Sequence, residues 1–199
     1  MVRWEPGAAG RLREAAMALY AEQGYDGTTV AQIADRAGVT ARTFFRHFAD
    51  KREVLFAGSE ELERVMVSAL ASAPAEAGPM EAVAAGVLAA GSAFVGRREF
   101  SRQRYQVVSA TPELREREFI KMASLVAAFS AALRERGVAS GQALLAAETG
   151  VMVFRVAFER WVEGDEADPV VVIRETLGEL AELTARCTFP SPPTHGPER

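Results

Sequence analysis

The chain has 199 residues, 49% apolar and 25% charged, with a formal net charge of −4. That length suits one core, or a small domain joined to a larger one, and the slight acidity excludes a polybasic nucleic-acid coat. The single cysteine, Cys187, can form neither an internal disulfide nor a zinc site. The N-terminus lacks an apolar signal segment, and the longest uncharged run, Ala82 to Gly96, is too short to span a bilayer, so a cytoplasmic protein is expected.

The spacing predicts an all-α chain. None of the nine prolines interrupts an apolar-periodic stretch, as expected if each opens a helix or sits in a loop. Nine helices are expected at about 8–24, 29–37, 41–47, 51–72, 79–95, 98–109, 112–137, 140–164 and 169–187. Thr29 with Gln32 forms a Thr-x-x-Gln capping box, Thr40 can cap the next helix, and Asp50 with Glu53 the fourth. Later starts are marked by Gly78-Pro79, Thr111-Pro112 and Asp168-Pro169. The apolar steps Met80, Val83, Val87, Ala90, Phe94 and Phe119, Met122, Val126, Phe129, Leu133 are helical. Residues 188–199 hold four of the prolines and are expected to be a disordered tail.

The second and third helices have a helix-turn-helix layout. Ala34 is small enough for a close crossing, Gly38 ends the first helix, and Val39 is the apolar turn residue. Phe44 and Phe48 bury the inner face of the second helix. Thr40, Ala41, Arg42, Thr43, Arg46 and His47 are left on its N-terminal end and outer side, as a major-groove reading helix requires. Residues 36–52 carry five basic side chains (Arg36, Arg42, Arg46, Lys51, Arg52) against Asp50 alone, whereas 58–199 carries fifteen basic and twenty acidic residues. A local basic spot on an acidic protein favours a modest, specific phosphate footprint over bulk attraction.

Four stretches together resemble the TetR (tetracycline-repressor-like) family of bacterial transcriptional regulators. They are Glu22-Gln23-Gly24-Tyr25, Thr28-Thr29-Val30 with Ile33-Ala34, Ala37-Gly38-Val39-Thr40, and Thr43-x-Phe45-x-His47-Phe48-x-x-Lys51. The resemblance covers residues 11 to about 56. It implies an N-terminal three-helix DNA-binding domain (1–50), a helical ligand-binding and dimerisation domain (51–187), and a homodimeric repressor on double-stranded operator DNA. Carried over by position, Thr29 and Thr40 would hold phosphates, Ala41, Arg42 and Thr43 would face base edges, and His47 and Lys51 would clamp the backbone. Phe45 stands where the family often has Tyr, so that position offers apolar contact without a phosphate hydrogen bond.

The C-terminal two-thirds is rich in aromatic residues and methionine. Phe94, Tyr105, Met122, Phe129, Phe154, Phe158 and Trp161 are the candidate lining of an effector pocket between the helices starting near 79, 98, 112 and 140. Arg104, Tyr105, Gln106 or Arg155 would be its polar groups. The arginine-rich run from Arg97 to Arg104 with Ser109 to Arg115 is similar to an actinobacterial subgroup of the family, which implies a small hydrophobic, acyl-thioester-like effector. Leu145, Thr149, Met152 and Val156, with Gly150 allowing close approach, and Leu177, Leu180 and Thr184 are candidate seam positions between two copies. The rival reading is a helical carrier or enzyme that ignores DNA. Against an enzyme, the only histidines are His47 and His195, carboxylates are unclustered, and neither a phosphate loop nor metal-ligand spacing is visible. No cofactor, metal or catalytic residue is therefore expected.

Overall fold

The computed structural model describes residues 7–185, and among them there are helices and no strand. The helices are α1 (Ala8–Gln23), α2 (Val30–Arg36), α3 (Ala41–His47), α4 (Glu53–Phe56), α5 (Ser59–Ala71), α6 (Pro79–Phe94), α7 (Arg98–Ala110), α8 (Pro112–Glu135), α9 (Ser140–Glu163) and α10 (Pro169–Ala185). The all-α expectation holds, and Pro79, Pro112 and Pro169 each open a helix. Asp168 Oδ1 accepts from the Val170 amide at 2.9 Å, satisfying one of the orphan donors of α10. The expected tail, 188–199, lies outside the described residues.

One helix differs from expectation. The stretch 51–72 is not a single rod: Ala57 turns extended (φ −59°, ψ 126°) and Gly58 sits at φ +90°, a region that costs glycine least. The nine expected helices are therefore ten segments among the described residues.

The break also separates two cores. Leu12, Ala16, Tyr20, Ile33, Phe44 and Phe48 form a head core, and Val54, Leu55 and Phe56 of α4 join it. Met66 and Leu70 of α5 bury instead with Val83, Phe129, Phe154 and Trp161 in a body core. On packing, the change from one core to the other thus comes at Gly58. Val108 of α7 and Leu114 of α8 are buried in the head core, while Tyr105 of α7 packs on the body core.

By length and apolarity α9 could cross a membrane, yet it is the central helix of the body, packed against α6, α7, α8 and α10. Gly150 of α9 permits the approach to α6. A Cβ there would stand 2.0 Å from Val83 Cγ1. Gly150 therefore serves internal packing against α6 and not the expected seam between copies.

Candidate nucleic-acid interface

The capping chemistry read from the sequence builds the head. The Gln32 amide donates to Thr29 Oγ1 at 3.3 Å and the Thr29 amide to Gln32 Oε1 at 2.8 Å, closing the box that starts α2. Gly38 at φ +67° makes the turn, and the Val39 amide returns to the Ala34 carbonyl at 2.9 Å. Thr40 Oγ1 then accepts from the Thr43 amide at 3.1 Å and starts α3. Asp50 Oδ1 accepts from the amides of Arg52 (2.8 Å) and Glu53 (3.1 Å) ahead of α4. Burial works against the Asp50 charge, but the Arg52 guanidinium and these amides outweigh it and hold the carboxyl below its ordinary value.

α3 is pinned by Phe44, which is fully buried, its ring 5.6 Å from that of Phe48. The opposite face is open: Thr40, Ala41, Arg42, Phe45, Arg46 and His47 are exposed, and Thr43 is half-buried. Phe45 is 58% exposed, a large apolar side chain left in water on a short helix.

Of the five basic residues counted in the sequence, three are occupied. Arg36 forks onto Glu22, Nη2 to Oε1 at 2.7 Å, and its hydrogen bond holds that carboxyl below the ordinary range. Arg52 returns to Asp50 at 2.6 Å. Lys51 departs from the expected backbone clamp. Its Nζ donates to the carbonyls of Tyr25 (2.8 Å) and Thr28 (3.0 Å) and lies 4.1 Å from the Tyr25 ring centroid. Two of its three protons are thereby committed to the turn between α1 and α2, so Lys51 is a brace inside the head. The Tyr20 hydroxyl completes it by donating to the Lys51 carbonyl at 2.7 Å. Arg42 and Arg46 remain exposed on α3 without an ion-pair partner among the described residues.

In the body the structure brings together five of the seven candidate effector residues. Phe158 lies 5.3 Å from Phe94, 6.2 Å from Phe154, 5.8 Å from Trp161 and 6.5 Å from Tyr105. The Tyr105 hydroxyl donates to Glu159 Oε1 at 2.6 Å, and that bond, with burial, pushes the phenol up to about 12. Phe129 is instead wedged at Gly86 and Gly150, and Met122 packs at the margin of the body core, so neither joins the ring cluster. Phe94, Phe154, Phe158 and Trp161 enclose, with Gly91, Ala157, Pro169 and Ile173, a void of about 10 Å³. It lies between α6, α9 and α10, not between the four helices expected, and has room for about one water. Arg104, a candidate polar group of the pocket, is turned toward the head, its Nε donating to the Leu55 carbonyl at 2.7 Å.

On the outer face of α9, Leu145 is 71% and Met152 42% exposed. Leu177 and Leu180, expected at the seam, pack partly on the body core.

Comparison with known proteins agrees with this architecture. The family model for bacterial regulatory proteins of the TetR family matches residues 12–57, and that for the MftR C-terminal domain matches 77–185. The HTH-type transcriptional regulator TcmR of Streptomyces glaucescens is 43% identical over 72 residues, covering 36% of this chain and 31% of that protein. The HTH-type transcriptional repressor KstR2 of Mycobacterium tuberculosis is 46% identical over 46 residues, covering 23% of each. The chain thus matches about a third or less of the length of these curated relatives. Among solved structures, a TetR-family regulator from Syntrophomonas wolfei has a TM-score of 0.66 at 16% identity, covering 89% of this chain and 95% of that one. FadR from Bacillus subtilis, in complex with stearoyl-CoA, has a TM-score of 0.61 at 22% identity, covering 86% and 96%. At such identities these two share the fold, and the family models, which span head and body, place the chain in the TetR family of bacterial regulatory proteins.

Proposed function

We infer that the protein is a sequence-specific DNA-binding transcriptional repressor, working as a homodimer and released from operator DNA by a small hydrophobic effector. The observation that carries the reading is the open face of α3, with Arg42 and Arg46 unpaired and Phe45 uncovered on a helix whose other side is locked into the head core. An Arg fork on guanine O6 and N7 discriminates by about 1–3 kcal/mol, so Arg42, with Ala41 and Thr43, is assigned to base edges. Phe45 offers apolar contact in the groove. Thr29, Thr40 and His47 are assigned to phosphates, which fix position without reading sequence. Lys51 is left out of the contact set because its ammonium is spent on carbonyls.

Two reading heads are needed to span two half-sites about one helical turn apart, and the uncovered Leu145 and Met152 on the outer face of α9 support a seam there. The effector reading rests on the ring cluster around Phe158. An acyl thioester is suggested by the stearoyl-CoA carried by the fold relative from Bacillus subtilis; the arginines of α7 do not add to it, since Arg98, Arg102 and Arg104 each donate to a backbone carbonyl. Such a ligand must bind the DNA-incompetent form more tightly than the DNA-bound one, and by linkage DNA then weakens the ligand.

The test is titration of the protein against DNA from upstream of its own gene at rising salt. A specific complex loses affinity steeply as salt rises, and Arg42→Ala flattens the preference among sequences. Retention of full sequence preference by Arg42→Ala would overturn the base-contact assignment. Binding of ligand with no DNA shift would favour a carrier.

A further inference from the structure

The side chains on the outer face of α3 limit which bases it can tell apart. At about 100° per residue, Arg42 and Arg46 point directly away from the buried Phe44, Ala41 and Phe45 lie on one flank, and Thr43 and His47 lie on the other. An arginine fork reads guanine, whereas adenine calls for the amide of Asn or Gln and cytosine for a carboxylate. α3 carries neither an amide nor a carboxylate side chain. Gln32, the one amide side chain of α2, is spent inside the head: its Oε1 accepts from the Thr29 amide at 2.8 Å and from Gln23 Nε2 at 3.2 Å. Asp50 is turned onto Arg52. The Thr40 and Thr43 hydroxyls bond each other at 3.1 Å. What this helix can still recognise of an A·T pair is its apolar feature, the thymine 5-methyl group.

We propose that Phe45, with Ala41, is a specificity residue that reads a pyrimidine 5-methyl group, so that at this contact the protein takes thymine or 5-methylcytosine and disfavours uracil or unmodified cytosine. The proposal rests on the reading of α3 as DNA-facing. Phe45 is exposed, yet its ring meets the locked Phe44 ring edge to face at 5.5 Å, which holds the side chain in place. Ala41 stands one turn earlier on the same flank. It is exposed and adds no bulk, so the ring and the alanine methyl form one apolar strip beside the arginines. In a major groove the C5 position of a pyrimidine stands toward its own strand, where the flank and not the crest of an inserted helix passes. A methyl there buries against the strip, whereas a bare C–H leaves the ring partly in water. Binding should therefore respond to methylation of cytosine at C5, a change that leaves every base-pairing group as it was.

The experiment uses the full chain and a DNA that the wild-type protein selects from a random pool. Each thymine is replaced in turn by deoxyuridine, which removes the methyl and keeps every hydrogen-bonding group. At the contacted thymine the affinity is expected to fall about fourfold per half-site, the worth of one buried group of CH₂ size, and roughly fifteenfold with both half-sites substituted. A second pair of DNAs carries cytosine or 5-methylcytosine at that position, and the methylated one should bind about fourfold more tightly per half-site. Phe45→Ala changes a side chain outside the buried head core, so the head should stay folded. It should bind the thymine DNA more weakly and lose both differences. Equal affinity for thymine and uridine at every position overturns the methyl contact and leaves the DNA-reading proposal standing. A uridine penalty that persists in Phe45→Ala overturns the assignment to Phe45. If the wild-type protein selects no DNA, both proposals fail.

Discussion

Replacing Phe44 by alanine tests whether the two cores are separable. Phe44 is fully buried, its ring against those of Phe48 and Phe45 at 5.6 and 5.5 Å, and it holds α3 onto α1 and α2. Truncating a buried phenylalanine costs about 3–5 kcal/mol, which raises the unfolding constant by roughly 10² to 4 × 10³. A unit of about fifty residues has only ~3–7 kcal/mol to lose. The head should therefore open in a large fraction of molecules while the body, whose buried set shares no residue with the head core, stays closed. Amide hydrogen exchange by mass spectrometry reads both at once. Peptides from 8–57 should lose protection, and those from α6 and α9 should keep it. Operator affinity should fall with the fraction of closed heads. Equal loss of protection in α9 would refute the reasoning, since it would mean that α7 and α8 fuse the cores into one cooperative unit.

Lys51→Met should destabilise the head yet leave the slope of log affinity against log salt almost unchanged; a slope reduced by about one unit would make Lys51 a phosphate contact after all. Thr29→Ala should cost about 0.5–2 kcal/mol through loss of the α2 cap, read from denaturant midpoints of the whole chain. Gly86→Ala should destabilise by about 1–3 kcal/mol, because the new Cβ would stand 2.8 Å from the Met66 carbonyl oxygen, a backbone atom that cannot swing aside. Tyr105 is raised from 10 to about 12 in the folded protein by its bond to Glu159. Its contribution is therefore fully present below pH 10 and lost as pH rises toward 12. Burial raises Tyr20 and Tyr25 further still, so Tyr105 should be the first of three late phenols in the tyrosinate difference spectrum, and Tyr105→Phe should remove that first step.

Local chemistry explains what could be read in advance. Caps and helix-opening prolines act within three or four residues, so Thr29 with Gln32, Thr40, Pro112 and Pro169 announce their helices in the sequence itself. The reading face of α3 follows from Phe44 and Phe48 in the same way. The break at Gly58 was also written locally, since Gly58 precedes Ser59, Glu60 and Glu61, an acidic first turn. Long-range partners were not legible. Lys51 turns inward because carbonyls 26 and 23 residues away are left open by the α1–α2 turn. Arg104 turns away from the rings because Leu55 and Glu118 outbid them. Gly150 announced a close approach but not that Val83 would fill it.

The ring-lined void has an energetic corollary. If the ring cluster is the effector site proposed above, a space of about 10 Å³ is too small for the guest, and Phe94, Phe158 and Trp161 would have to part first. Apparent affinity is then the intrinsic affinity discounted by the share of molecules already parted: were that share one in a hundred, a guest would bind about a hundredfold more weakly than its contacts allow. Under that reading half-saturation would move to a correspondingly higher effector concentration, and a bulky-to-small change at Phe158 would lower it.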